Sequence, residues 1–193
     1  MPRVSEDHLT ALREQILAAA RRCFLRKGLH NASMQDLIAE AGLSVGAVYR
    51  YFKSKDEIIN AMTQQVAGGL LAQFDEVAAR DLPLVDAVSA VLDVVDEQLG
   101  PDGNFPLVVQ VWGEAVRDPA IGAIIRERYL ELRQPFRKIA AQAVARGELP
   151  PGTDPEVVST VLFGVLPGYG LQRKLIGTPD KQMYLAGIRA LFT

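Results

Sequence analysis

The chain has 193 residues, 49% hydrophobic and 23% charged, enough apolar material for one large domain or a small one joined to a medium one. No apolar run reaches the roughly 18 residues that span a membrane. The N-terminus MPRVSEDHLT lacks the apolar stretch of a secretory signal, and the single cysteine, Cys23, cannot form an internal disulfide, so a cytoplasmic location is expected. The net charge of −2 hides an asymmetry: residues 1–55 carry nine Lys/Arg against five Asp/Glu, and residues 56–193 carry twelve against eighteen. A basic N-terminal piece on an acidic remainder suits a small polyanion-binding module on a body that need not touch nucleic acid.

Taken in chain order, nearly every segment reads as helix. Leu9, Leu12, Ile16, Ala20, Cys23 and Phe24 recur every three to four residues and form one apolar face; Arg26 and Lys27 close that helix and Gly28 stops it. Ser33-Met-Gln-Asp36 has the form of a capping box with Asp in place of Glu, and Gly42 ends the short helix it opens. Ser44 is the N-cap of a second short helix reaching about Tyr51, and Ser54-Lys-Asp-Glu57 opens a long helix to about Ala79. Beyond Pro83 the helical period continues through Val85, Val88, Leu92, Val95 and Leu99 to the turn Gly100–Gly103. A helix through Val108, Trp112 and Ala115 stops before Pro119. The next spans about 120–145, with Ile121, Ile125, Leu132, Phe136 and Ile139 inward and Pro135 expected to kink it. A Pro-rich loop, Arg146–Pro155, precedes a helix to about Leu175 and a short one from Asp180. The fold class is all-α, with nine or ten helices and no strand-period segment.

Residues 33–55 read SMQDLIAEAGLSVGAVYRYFKSK: two short helices around Gly42-Leu43-Ser44, with Leu37, Ile38, Leu43 and Val48 supplying apolar contacts and Ala39 expected where the helices approach closely. This is the helix-turn-helix design, in which the second helix enters the major groove and the first braces it. The run Ala41–Lys55, AGLSVGAVYRYFKSK, together with Arg22–Gly28, RCFLRKG, resembles the signature of the TetR family of transcriptional regulators. A weaker likeness extends to Val111–Pro119 and to the Pro-rich loop. The resemblance implies an N-terminal three-helix DNA-binding domain over residues 1–54 and a C-terminal helical ligand-binding and dimerisation domain over 55–193. It implies a repressor that binds a palindromic double-stranded operator as a homodimer paired through the helices at about 120–145 and 155–175, and that a small molecule releases.

The residue chemistry stands beside that resemblance. Gly46 has no side chain, so backbone can approach a phosphate or a thymine methyl. Ser33 and Ser44 place hydroxyls and helix N-terminal amides where phosphates could sit. Arg50, bidentate to guanine, and Val45, against a thymine methyl, are the candidate base readers, and Gln35 could reach a base or a phosphate. Tyr49 and Tyr51 project phenols from the recognition helix, at positions that in the family commonly contact phosphates, and Lys55 could reach the same strand. Val48 and Phe52 face inward. In the body, Phe74, Phe105, Val108, Trp112, Tyr129, Phe163, Leu166 and Tyr169 are candidate pocket lining, with Gln110, Glu114 and Gln172 as sparse polar groups, which points to a mainly apolar effector. Trp112 reads equally well as pocket wall and as core.

Other features carry less. His8 and His30, with one Cys, have no metal-ligand spacing, so no metal and no cofactor is expected. Cys23 reads as a packed, inert thiol. Asp93, Asp96 and Glu97 read as a solvated helix face, and no phosphate-cradling loop or Ser/His/Asp pattern indicates an enzyme. Gly68-Gly69 fits a flex point or close helix packing; Gly164, Gly168 and Gly170 around Pro167 fit close approach of a partner helix, or a break near a cavity. Two rival functions remain: a DNA binder without a small-molecule ligand, and a helical binding or scaffold protein whose helix-turn-helix is structural.

Overall fold

The computed structural model describes residues 6–191, and all regular secondary structure among them is helical. The first five residues of the N-terminus read above lie outside the described residues. The chain forms two compact units: one takes the residues up to Val66 together with Pro106–Arg126, the other takes Ala67–Phe105 and the residues from Glu127 onward.

The first unit contains α1 (Glu6–Lys27), α2 (Met34–Ala41), α3 (Val45–Tyr51), the start of α4 (Lys55–Ala79), nearly all of α6 (Phe105–Arg117) and the first half of α7 (Pro119–Leu132). The predicted apolar face of α1 packs as expected: Ile16, Ala20, Cys23 and Phe24 are buried with Leu37 and Ile38 of α2, Val48 of α3 and Phe52 just after it. Phe24, Val48 and Ile58 are 0% exposed, each side chain contributing about 1.5–3 kcal/mol of hydrophobic stabilisation. Leu107 and Val111 of α6 and Ile121 of α7 belong to the same core. Cys23 sits inside it, and burial pushes its thiol pKa up, away from reactivity.

The second unit contains the rest of α4, α5 (Leu84–Leu99), the end of α7, α8 (Gln134–Ala145), α9 (Pro155–Ile176) and α10 (Lys181–Leu191). Its core is mainly aliphatic and includes a cluster of rings: Phe136 meets Phe74 edge-on at 5.1 Å and Phe163 at 5.4 Å, and Phe163 meets Tyr129 at 5.1 Å. Such edge-to-face pairs place a positive ring edge on a negative ring face.

Two expectations are corrected here. The single kinked helix over 120–145 is two helices, because Pro135 sits in the first turn of α8, where its missing N–H has no helical partner to lose. Asp96 is no solvated face: Tyr169, itself 0% exposed, donates its hydroxyl to Asp96 Oδ1 at 2.9 Å, and Arg173 lies 3.7 Å away. Burial, reinforced by that carboxylate, pushes the Tyr169 phenol up to about 12.

The glycines resolve differently. A Cβ on Gly170 would lie 2.4 Å from the Phe105 ring, so this glycine is required by packing within the unit. Gly168 faces the Tyr184 hydroxyl, whereas a Cβ at Gly164, Gly68 or Gly69 would meet nothing within 4 Å among the described residues. Close packing among the described residues therefore does not explain Gly68-Gly69. Helix α9 runs unbroken through Pro167.

Candidate nucleic-acid interface

The interface is assembled by local signals. Ser33 caps α2: its Oγ accepts from Asp36 N at 3.2 Å, and Asp36 Oδ2 accepts from Ser33 N at 3.0 Å. Lys27 closes the other side of that carboxylate at 2.6 Å, and these hydrogen bonds, Lys27's first, hold Asp36 well below the usual carboxylate range. On the next turn Glu40 pairs with Arg26 at 2.5 Å and Arg22 at 3.0 Å, which lowers its pKa too. Helix α2 is thereby tied to α1 by ion pairs as well as by its apolar face. Gly42 then adopts the left-handed conformation (φ 65°) that lets the chain turn sharply, and Ser44 caps α3 by accepting from Ala47 N at 3.2 Å. Ala39 is exposed, so it is not the point of close approach between the helices; Ala41 is buried instead.

Helix α3 thus has its inner side on the core and its outer side open. Val48 (0% exposed) and Phe52 (4%) face inward, and Arg13 lies over the Phe52 ring at 5.5 Å. Outward stand Val45 (60% exposed), Gly46, Tyr49 (37%) and Arg50. Arg50 has no hydrogen bond or ion pair among the described residues, unlike Arg22, Arg26 and Lys27, whose charges are matched by carboxylates. A Cβ on Gly46 would meet nothing within 4 Å among the described residues, so their packing gives no reason for glycine there. Gln35 is exposed on α2.

Two of the proposed contacts are corrected. Tyr51 does not project from the recognition helix. Its ring packs against the core of the unit and its hydroxyl is enclosed without a hydrogen-bond partner. Lys55 does not offer a free ammonium: Nζ donates to the carbonyls of Leu29 (3.1 Å), Ala32 (3.2 Å) and His30 (3.4 Å), which occupies its three N–H groups. The available lysine is Lys53, which sequence reasoning passed over. It is exposed at the end of α3, with one donor on the Tyr49 carbonyl. Its place in the Lys-Ser-Lys run was visible; which lysine turns inward was not.

The candidate effector residues are divided between the units. Phe74, Phe105, Leu166 and Tyr169 are buried core of the second, and Tyr129 pairs there with Phe163. A small apolar hollow in that unit is lined by Val88, Val91, Phe136, Ile139, Leu162 and Leu166, so of the expected lining it includes Leu166. Val108, Trp112, Gln110 and Glu114 lie in the first unit, Val108 and Trp112 being half-buried. The polar groups are otherwise engaged: Gln110 Oε1 accepts from Leu29 N at 2.8 Å, Glu114 pairs with Arg117 at 2.7 Å, and exposed Gln172 donates to Gly168 O at 3.1 Å. None of the three is placed as a free polar group of a cavity.

Two family patterns match the chain: that of the bacterial regulatory proteins of the tetR family over residues 16–62, and that of the tetracyclin repressor-like C-terminal domain over residues 83–169. The HTH-type transcriptional regulator UidR of Escherichia coli K12 is 26% identical over 180 residues, covering 93% of this chain and 90% of UidR. The HTH-type transcriptional repressor Rv1474c of Mycobacterium tuberculosis is 45% identical over 65 residues, about a third of each chain. A putative transcriptional regulator of Pseudomonas aeruginosa PAO1 shares the fold with a TM-score of 0.80 at 22% identity, over 97% of this chain and 90% of its own. The chain belongs to the TetR family of helix-turn-helix transcriptional regulators, and it is a DNA-binding regulator, not an enzyme. Among the described residues no helix is long and apolar enough to cross a membrane.

Proposed function

We propose that this chain is a cytoplasmic repressor that binds a palindromic operator as a homodimer and is released by a small, mainly apolar effector. One observation carries the DNA reading: the outer face of α3 presents an unpaired Arg50 beside exposed Val45 and a glycine the fold does not need. Arg50 and Val45 read base edges; Gly46, Tyr49, Ser33, Ser44, Gln35 and Lys53 meet the backbone or the groove wall. These residues all lie within the first 54, the expected DNA-binding domain.

Pairing through α7–α8 and α9 is supported by the exposed stripe Val157, Val161 and Gly164, four and three residues apart along α9. An exposed glycine inside a helix is unfavourable by about 1 kcal/mol relative to alanine, which a closely approaching partner helix offsets. The effector reading is supported by the aromatic cluster and hollow of the second unit. For release, the effector must bind the DNA-incompetent arrangement of the two heads more tightly than the competent one.

Selection of bound duplexes from a random-sequence pool tests the reading. The enriched site is expected to be an imperfect palindrome with half-sites about one helical turn, ~34–36 Å, or a multiple of that apart. A monomer at micromolar concentration that binds one asymmetric half-site tightly would overturn it.

A further inference from the structure

The turn between α1 and α2, residues 28–32, is gripped from two sides. Lys55 holds its carbonyl oxygens, as described above. The Leu29 N–H donates to the side-chain oxygen of Gln110 on α6 at 2.8 Å, 81 positions away in sequence. Leu29 and Ala32 are each 3% exposed, so the turn is anchored at both by buried residues, and the Leu29–Gln110 bond is itself partly buried. A buried turn amide has no helical partner, and leaving it unpaired is costly. The donor also settles the orientation of the Gln110 amide, because reversing it would set an NH2 group against an N–H. Leu107 and Val111, on the same helix as Gln110, are buried in the core that holds Phe24 and Leu29. Ser33, which follows the turn directly, is the N-cap from which α2 starts, and α2 leads through Gly42 to α3.

We infer that Gln110 is a positioning residue for DNA binding: from α6 it fixes the Leu29 amide and with it the start of the helix-turn-helix. The DNA-binding unit is then discontinuous in sequence and includes α6. The inference rests on the DNA-binding reading above. It gives Gln110 a role opposite to that of an effector contact, since the side chain faces the turn and not a ligand.

The test uses the full chain with two substitutions of similar size. Gln110→Glu keeps an acceptor oxygen; Gln110→Met keeps the length and removes it. Each is measured for affinity to a duplex that the unsubstituted protein selects from a random pool, for amide hydrogen exchange at Leu29, and for melting temperature. Gln110→Met is expected to bind about tenfold more weakly, one lost hydrogen bond in each of two heads, and to exchange Leu29 faster. Gln110→Glu is expected to stay within about threefold and to keep Leu29 protected. Should Gln110→Met fail to fold, Gln110→Asn, one methylene too short to reach, gives the same contrast. Binding by Gln110→Met within twofold of the unsubstituted protein overturns the inference. So does an equal loss in both variants that follows melting temperature alone. A pool from which the unsubstituted protein enriches nothing overturns the DNA-binding reading instead, and Leu29 exchange, read without DNA, tells the two failures apart.

Discussion

Replacing Gly46 by alanine puts a methyl group on α3 at a place where no other described residue comes within 4 Å. Folding and DNA binding should then respond with opposite sign. Gly46 lies in the first turn of a helix that runs Val45–Tyr51, a conformation alanine adopts without strain. The substitution removes backbone freedom from the unfolded chain and should stabilise by about 0.4–1 kcal/mol. For a chain of this size that raises the melting temperature by about 1–4 °C. On the proposed DNA-binding reading, the same methyl would enter the space where backbone approaches a phosphate or a thymine methyl. Overpacking of a close contact costs about 1–3 kcal/mol, and a dimer places two such methyls on one operator, so affinity should fall ~30-fold or more. Thermal melting and fluorescence anisotropy on the selected duplex, measured side by side, check both signs. A variant that melts higher and binds as tightly as before would refute the reasoning, because the outer face of α3 at Gly46 would then not touch DNA.

Arg50→Ala should relax preference at one base position per half-site and lower affinity for the best site by about 1–3 kcal/mol; an equal loss on every sequence would make Arg50 a phosphate contact. Lys55→Met should destabilise the fold by about 1.5–3 kcal/mol for a charged donor lost to its carbonyls, seen as a lower melting temperature, while leaving the slope of log affinity against log salt unchanged. A slope flattened by about one unit per head would return Lys55 to the phosphate backbone. Gly170→Ala should destabilise by about 1–3 kcal/mol in urea unfolding, since its Cβ would overlap the Phe105 ring, and Phe105→Leu in the same chain should recover part of that loss. Acid should loosen α2 from α1. The folded-state pKa values of Asp36 and Glu40 lie below their unfolded ones, so their contribution is fully present above the ordinary carboxylate range and is lost as pH falls through the folded values, below about pH 4. Circular dichroism of Asp36→Asn/Glu40→Gln against pH checks this. The double variant should be less stable at neutral pH and change less between pH 5 and 3.

The helix-turn-helix was legible because its signals are local. The Ser33–Asp36 box, the left-handed Gly42 and the Ser44 cap each act within four residues, and the α1 face through Ile16, Ala20 and Phe24 follows from the helical repeat alone. Sequence therefore determined that the chain is all-helical, where the recognition helix starts, and that Val48 and Phe52 point inward while Val45 and Arg50 do not. Tertiary structure decided which polar groups are already occupied. Lys55 turns to the carbonyls of residues 29–32 and Lys53 stays outside; Gln110 crosses 81 positions to one amide; Asp96 meets Tyr169 across 73. It also decided that Pro135 begins a helix instead of bending one, and that Gly170 makes room for Phe105 while Gly164 faces open space. The physical reason is range. A cap or an apolar period is satisfied by near neighbours on the same helix, whereas a long side chain with a charge or an amide takes whichever partner the packing of distant helices brings within about 3 Å, and desolvation of that partner makes the choice matter.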